Sequence, residues 1–207
     1  MKRLDDCRLY GILDMGYVPP ADVVRVAAEM VEGGVDIVQL RAKEFIPADV
    51  RWLAEQIHPV TSAAGVPLVI NDFPEVASDI GAEGVHVGQD DADVEQARAV
   101  AGYRTIIGKS THSVAEAIAA AAEDTDYIGF GPLFATPTKP LAEPIGITAI
   151  RTLHEMVQKP IFCIGGIKLV NLKAVLAAGA RRVVIVSGIL QANDVAGYCR
   201  KVKQMLE

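Results

Sequence analysis

The residues of this sequence that could do chemistry gather in short clusters, each at the end of an apolar run. Gln39-Leu40-Arg41-Ala42-Lys43 carries two cations two positions apart. Both lean to one side of an extended segment and can clamp a diphosphate; the alternative is an exposed ion pair with a neighbour such as Glu44. Asn71-Asp72 and Gln89-Asp90-Asp91 supply carboxylates. Asp72 and Asp91 are candidate ligands for Mg2+, which prefers oxygen, keeps several waters and is held by one or two carboxylates plus substrate phosphates. The structural alternatives are a turn at Asp72 and a helix N-cap at Asp91 or Asp93. Thr136, Thr138 and Lys139 offer two hydroxyls and an ammonium, or else form an ordinary polar loop. Ser110-Thr111-His112 adds hydroxyls and an imidazole, while Gly165-Gly166 and Ser187-Gly188 offer bare amides that can approach an anion closely, or simply turn tightly.

Other chemistry finds little support. His58 and His154 fall in helical stretches without metal-ligand spacing, His86 reads as an interior hydrogen-bonded residue, and His112 sits where it can approach a ligand. No Ser/His/Asp or Cys/His arrangement stands out. Gly108-Lys109-Ser110 looks like the tail of a phosphate-binding P-loop, but the required earlier glycine is Tyr103. Gly129-Phe130-Gly131 begins like a dinucleotide fingerprint, then continues Pro-Leu-Phe and lacks the third glycine.

The clusters need elements to hold them. Apolar, β-branched runs occur at 8–14, 36–43, 67–72, 84–89, 105–110, 126–132, 160–166 and 182–188, as expected for strands buried on both faces. Helix-period segments lie between them. Val23, Ala27, Met30 and Val31 share one helical face, and SVAE at 113–116 is a capping box. Glycines at 33–34, 65, 81, 102 and 179 precede strands as helix-ending residues do. Alternating strands and helices imply a parallel sheet with right-handed crossovers, and eight units close into a barrel. The fold class is therefore α/β, a single (β/α)8 TIM barrel spanning residues 1–207, with chemistry at the C-terminal strand ends. An open doubly wound sheet is the runner-up, but LDMGYVPP after the first strand lacks its glycine fingerprint.

Bulk properties narrow the partners. The 207 residues are 51% apolar and 22% charged, enough to bury a sizeable core. The net charge of −6 argues against nucleic acid or an anionic membrane as main partner. The N-terminus MKRLDDCRLYGIL has no signal-like apolar region, and no apolar run approaches the roughly 18 residues of a membrane span. Three scattered cysteines, Cys7, Cys163 and Cys199, fit a reducing cytoplasm, with Cys163 expected in the core.

Taken together, QLRAK at 39–43, IND at 70–72, GVHVGQDD at 84–91, STH at 110–112, GFGPLFATPTK at 129–139, IGGI at 164–167 and VSGI at 186–189 resemble the thiamine phosphate synthase family. IGGI alone is common among phosphate-binding barrels; the combination is specific. The resemblance implies a transferase of thiamine biosynthesis. It would join a hydroxymethylpyrimidine diphosphate to a thiazole phosphate and release pyrophosphate. It implies that Gln39, Arg41, Lys43 and Asn71 meet the pyrimidine diphosphate, that Asp72 and Asp91 bind magnesium, and that Ser110 and Lys139 meet the diphosphate. Thr136 and Thr138 would lie by the thiazole phosphate, held by Gly166, Val186 and Ser187 through backbone groups. Arg41, Ser110 and Lys139 would act in the chemical step. That step, ionisation of the C–O bond followed by attack of the thiazole nitrogen, needs leaving-group stabilisation more than an acid or base.

Two positions depart from the family pattern. Phe73 stands where many members have arginine, and Lys109 where an apolar residue is usual. A thiazole tautomerase-like relative, a non-catalytic phosphate-ligand sensor and a barrel isomerase are the competing readings. The aspartate pair, Lys139, and Pro132 in place of the tautomerase histidine favour the synthase. A homodimer is expected only because two-fold symmetry is common.

Overall fold

The computed structural model describes residues 2–89, 91, 93–138 and 142–207. Each of the eight apolar runs forms a strand: β1 (Leu9–Asp14), β2 (Ile37–Arg41), β3 (Leu68–Asn71), β4 (Gly84–Val87), β5 (Ile106–Thr111), β6 (Tyr127–Phe130), β7 (Ile161–Cys163) and β8 (Val183–Ile185). They pair in parallel and in chain order. β8 returns to β1 through Leu9↔Val183 and Tyr10↔Val184, so the sheet is a closed barrel. The helices α1 (Val23–Glu32), α2 (Pro47–Ala63), α3 (Pro74–Ile80), α4 (Val94–Ala101), α5 (Val114–Ala122), α6 (Ile150–Met156) and α7 (Leu169–Ala177) follow successive strands. After β8 come a short α8 (Ser187–Leu190) and α9 (Val195–Leu206).

Local chemistry explains the helix starts. Asp93 caps α4 by accepting from Gln96 N–H at 2.7 Å, and Asp194 caps α9 by accepting from Gly197 N–H at 2.7 Å. Ser113 accepts from Glu116 N–H at 3.1 Å, as the capping box predicts. The Glu116 carboxylate, however, reaches one residue further back, to His112 N–H at 2.8 Å. It thereby ties the end of β5 to the helix that follows.

Strand alternation divides the core in two. Leu9, Leu13, Val38, Leu40, Ile70 and Val85 face the helices and belong to the larger apolar cluster. Tyr10, Ile37, Val69, Tyr127, Phe162 and Val184 fill the barrel itself. Tyr10, Tyr127 and Phe162 meet edge to face with centroids 5.4–5.8 Å apart, a geometry favoured by ring quadrupoles. Gly108 is small for this reason: a Cβ there would lie 2.0 Å from the Tyr127 ring. The glycine of the P-loop-like tripeptide is thus a packing feature of the barrel interior.

The departures from family pattern have local explanations. Lys109 faces outward and sets its ammonium 2.8 Å from both Glu123 carboxylate oxygens. Phe73 packs, partly buried, against the core at the start of α3. The three cysteines are free and buried, and burial pushes the Cys163 thiol up to about 12. Among the described residues, no helix is long and apolar enough to cross a membrane.

Candidate active site

Above the aromatic floor, the inward positions turn polar. Successive inward residues on β2 run Ile37, Gln39, Arg41, on β3 Val69 then Asn71, and on β5 Ile106, Gly108, Ser110. The same two-residue period that buries the lower layer therefore lifts the polar groups to the C-terminal mouth. There they surround about 870 Å³ of non-protein space, partly open to solvent. Every expected site residue that is described lines it: Gln39, Arg41, Lys43, Asn71, Asp72, Asp91, Ser110, Thr136, Thr138, Gly166, Val186 and Ser187. Lys139 and Asp90 lie outside the described residues.

One flank comes from β1 to β4. Arg41 Nη1 donates to Asp14 Oδ2 at 2.6 Å, with Asp14 buried. The partner of Arg41 is thus its register neighbour on the adjacent strand β1, not nearby Glu44. This contact holds the guanidinium in place, and its other N–H groups suit an anion. Lys43 Nζ lies 2.8 Å from Asp72 Oδ2 and 3.9 Å from Asp91 Oδ1. Asp91 also accepts from Gly88 N–H at 2.8 Å, which leaves the helix cap to Asp93.

Asp72 takes φ +66°, a backbone region rare outside glycine, asparagine and aspartate. Burial raises its carboxyl above the usual range; neighbouring Asp91 raises it further, and Lys43 only partly opposes them. Two carboxylates on adjacent strand ends thus crowd one another in a place that favours added positive charge. The donors are all oxygen, as magnesium requires. Among the described residues, no third Asp, Glu, His or Cys completes a protein-only cluster, so further ligands would be water or phosphate oxygens.

The middle of the site comes from β4 to β6. Ser110 Oγ is 2.8 Å from His86 Nε2, and its carbonyl accepts from Gln89 Nε2 at 2.5 Å. His112 Nδ1 donates to the Gly131 carbonyl at 2.5 Å, which turns the ring along the cavity wall. Thr138 Oγ1 meets Tyr17 Oη at 3.1 Å, so the loop after β6 is tied to the loop after β1.

The opposite flank follows β7 and β8. Gly165 and Gly166 have φ +96° and +65°. A Cβ on Gly165 would come within 2.4 Å of Pro132, and one on Gly166 within 2.7 Å of the Phe134 Cβ. Both glycines are therefore required by conformation and by contact. Their carbonyls accept from Phe134 N–H (3.1 Å) and Asn171 Nδ2 (2.9 Å), which orients the peptide planes. Ser187 is buried at the start of α8, beside Val186. A short helix after β8 is the usual surrounding of a phosphate in such barrels.

Some of the cavity was missed from sequence. Asp14, which positions Arg41, gave no signal beyond a strand-ending carboxylate. His86 read only as an interior group, yet it lies between Ser110 and the aromatic floor. His58 pairs with Glu83 at 3.2 Å, away from the cavity. Burial depresses His154 to about 4, and its buried Nε2 has no partner among the described residues.

Known proteins resemble this chain over most of its length. A family model described as thiamine monophosphate synthase matches residues 9–189. The chain belongs to that family. A thiamine-phosphate synthase of Halalkalibacterium halodurans is 39% identical over 203 residues, which is 98% of this chain and 96% of the relative. A thiamine-phosphate synthase of Gloeobacter violaceus is 40% identical over 192 residues, 93% of this chain but 55% of the relative, so the chain spans about half of that protein. The solved structure of a thiamine phosphate pyrophosphorylase from Pyrococcus furiosus superposes with a TM-score of 0.89 at 28% identity, covering 98% of this chain and 96% of the other. The family match spans all eight strands of the barrel.

Proposed function

We propose that this chain joins 4-amino-2-methyl-5-hydroxymethylpyrimidine diphosphate to a thiazole phosphate, giving thiamine phosphate and pyrophosphate. One observation carries the reading: a flank with Arg41 and Lys43 and a flank with Gly165, Gly166 and Ser187, each suited to an anion, line a single cavity together with Ser110, Thr136 and Thr138. Two anionic reactants held together suit a joining reaction better than the rearrangement of one.

Each flank takes one reactant. Arg41, Lys43, Asn71 and Gln39 hold the pyrimidine diphosphate, with Ser110 and Lys139 on the leaving diphosphate. Thr136, Thr138 and the backbone of Gly166, Val186 and Ser187 hold the thiazole phosphate. Asp72 and Asp91 are the residues that would hold magnesium, and their crowding and oxygen-only chemistry fit it. Bound there, magnesium would offset the negative charge that grows on the diphosphate as it leaves.

The residues of the chain then do little covalent work. The methylene–oxygen bond breaks with its electron pair leaving on pyrophosphate, and the thiazole nitrogen supplies the pair that forms the new carbon–nitrogen bond. No net proton transfer is needed. Arg41, Lys43 and Ser110 supply preorganised positive charge and a hydroxyl where charge develops. The opposing flanks keep the two reactants aligned, converting a bimolecular encounter into a step within one complex.

Purified protein given both precursors and Mg2+ should form thiamine phosphate, and chelation of the metal should stop it. Absence of product with magnesium and both pure substrates would rule the assignment out. Residues 1–207 are read as one domain, with a homodimer as the expected assembly. A cytoplasmic site of action fits the three free, buried thiols.

A further inference from the structure

A chain of hydrogen bonds crosses the barrel at the base of the cavity and connects three of its lining residues, Gln39, His86 and Ser110. Gln39 Nε2 donates to Tyr10 Oη at 2.8 Å. Tyr10 Oη lies 2.9 Å from Tyr127 Oη, Tyr127 Oη 3.0 Å from His86 Nδ1, and His86 Nε2 2.8 Å from Ser110 Oγ. Its members come from β2, β1, β6, β4 and β5.

The chemistry of the first donor sets the direction of the rest. An amide N–H can only donate, so Tyr10 Oη accepts it and directs its own proton to Tyr127. Tyr127 then donates to His86 Nδ1, which leaves the imidazole proton on Nε2, facing Ser110. Burial pushes both phenols far above their ordinary range, so both keep their protons. Packing holds the geometry: the His86 and Tyr127 rings stack with centroids 5.6 Å apart, and Gly108 gives the Tyr127 ring its place. Ser110 Oγ accepts from His86, and among the described residues no acceptor takes its hydroxyl proton.

We propose that His86 is a positioning residue, held as the Nε2–H tautomer by the Gln39–Tyr10–Tyr127 chain so that the Ser110 hydroxyl donates into the cavity, toward the leaving diphosphate. The inference rests on the synthase reading of the site. Ser110 touches the substrate; His86, Tyr127 and Tyr10 act through it. The opposite polarity, with the Gln39 carbonyl accepting from Tyr10, puts the proton on Nδ1. It also turns the Ser110 hydroxyl inward to His86, leaving the diphosphate without that donor.

Two measurements test this. Nitrogen-15 NMR of the imidazole side chains in the full-length wild-type protein, with His86 assigned through its loss in His86→Gln, should show a protonated Nε2 and an unprotonated Nδ1. A protonated Nδ1, or exchange between both forms, overturns the inference. Kinetics supply the second arm. Tyr127→Phe should lower kcat about tenfold, because it frees the tautomer while leaving the ring in place. In a Ser110→Ala background the same change should cost less than about twofold, because the chain then has no outlet. His86→Gln, whose amide can still donate to Ser110, should retain more turnover than His86→Leu. Equal losses from Tyr127→Phe in both backgrounds would show a purely structural role and overturn the inference. Failure of the wild type to form product would instead overturn the synthase reading, and the role of this chain in catalysis with it.

Discussion

At the N-terminal mouth of the barrel, buried Asp36 accepts from Arg8 N–H at 2.9 Å, from Leu9 N–H at 3.0 Å, from Lys2 Nζ at 2.7 Å and from Lys203 Nζ. At the C-terminal mouth, Asp72 has, among the described residues, one ammonium partner, Lys43, and a second carboxylate beside it. Burial raises both carboxyls. For Asp36 the four donors outweigh burial and hold it below the usual range, whereas for Asp72 they do not. One aspartate is completed by the fold, and the other is left with unmet demand for positive charge. The comparison separates a carboxylate that stabilises the barrel from one that the barrel presents to a ligand, in line with the division between the two faces of such barrels.

The largest test of this contrast is on activity. Asp72→Ala should lower turnover by roughly 100- to 1000-fold, the scale expected when several kcal/mol of metal-assisted charge stabilisation is lost. Its circular dichroism should match wild type, with Tm lowered by only about 2–8 °C from the strain of alanine at φ +66°. Near-wild-type turnover would mean that the crowded pair at the C-terminal mouth serves structure after all.

The mirror experiment is on stability. Asp36→Ala strands the buried Leu9 N–H and the part-buried Arg8 N–H and leaves two ammonium groups without their carboxylate. A loss of about 3 kcal/mol follows from the usual cost of breaking a buried pair. For a domain of this size that lowers Tm by about 6–12 °C, while turnover well below the transition should persist. The pH dependence has a definite sign. A carboxyl lowered by folding stabilises above its unfolded value near 3.9, and that stabilisation is lost as pH falls through the folded value. The gap between wild type and Asp36→Ala should therefore be full at neutral pH and close in strong acid. A gap that persists unchanged to the lowest pH would point to packing rather than charge.

How much of this was legible in the sequence depends on the range of the interaction. The eight strands and the polar residues at their ends follow from local patterns: a short apolar run, a two-residue period and a cluster at its C-terminal end. The rim residues could therefore be named before their geometry was known. Contacts across the barrel left no such trace. Tyr10 finds Tyr127 from 117 positions away, and even the neighbouring-strand pair of Arg41 and Asp14 lies 27 positions apart in the chain. A buried tyrosine in an apolar run looks like ordinary core, because the partner of its hydroxyl is fixed only when the barrel closes. The failed P-loop match at Gly108 left its glycine without a reason in the sequence. Its smallness answers to Tyr127 and not to a phosphate.

The smallest expected effect is also the most specific to the comparison. Asp72→Asn keeps the shape of the side chain and suits the left-handed backbone at φ +66°, which asparagine tolerates as well as aspartate does. It removes a buried negative charge that lies beside Asp91. The raised carboxyl means that folding favours the neutral form, so ionised Asp72 weakens the fold as pH rises from the ordinary carboxylate value through the raised one. At neutral pH and without magnesium, Asp72→Asn should therefore be more stable than wild type by about 0.5–1 kcal/mol, within the range common for relieving strain at a functional site. The loss of the Lys43 contact keeps the gain small, because that lysine is exposed enough to be solvated. Added magnesium should reverse the order, since only the wild-type pair gains from binding it. Thermal melts of both proteins with and without the metal decide the matter. A variant that is less stable in both conditions would show that Lys43 already satisfies Asp72, and that the two mouths of the barrel do not differ in the way their carboxylates are held.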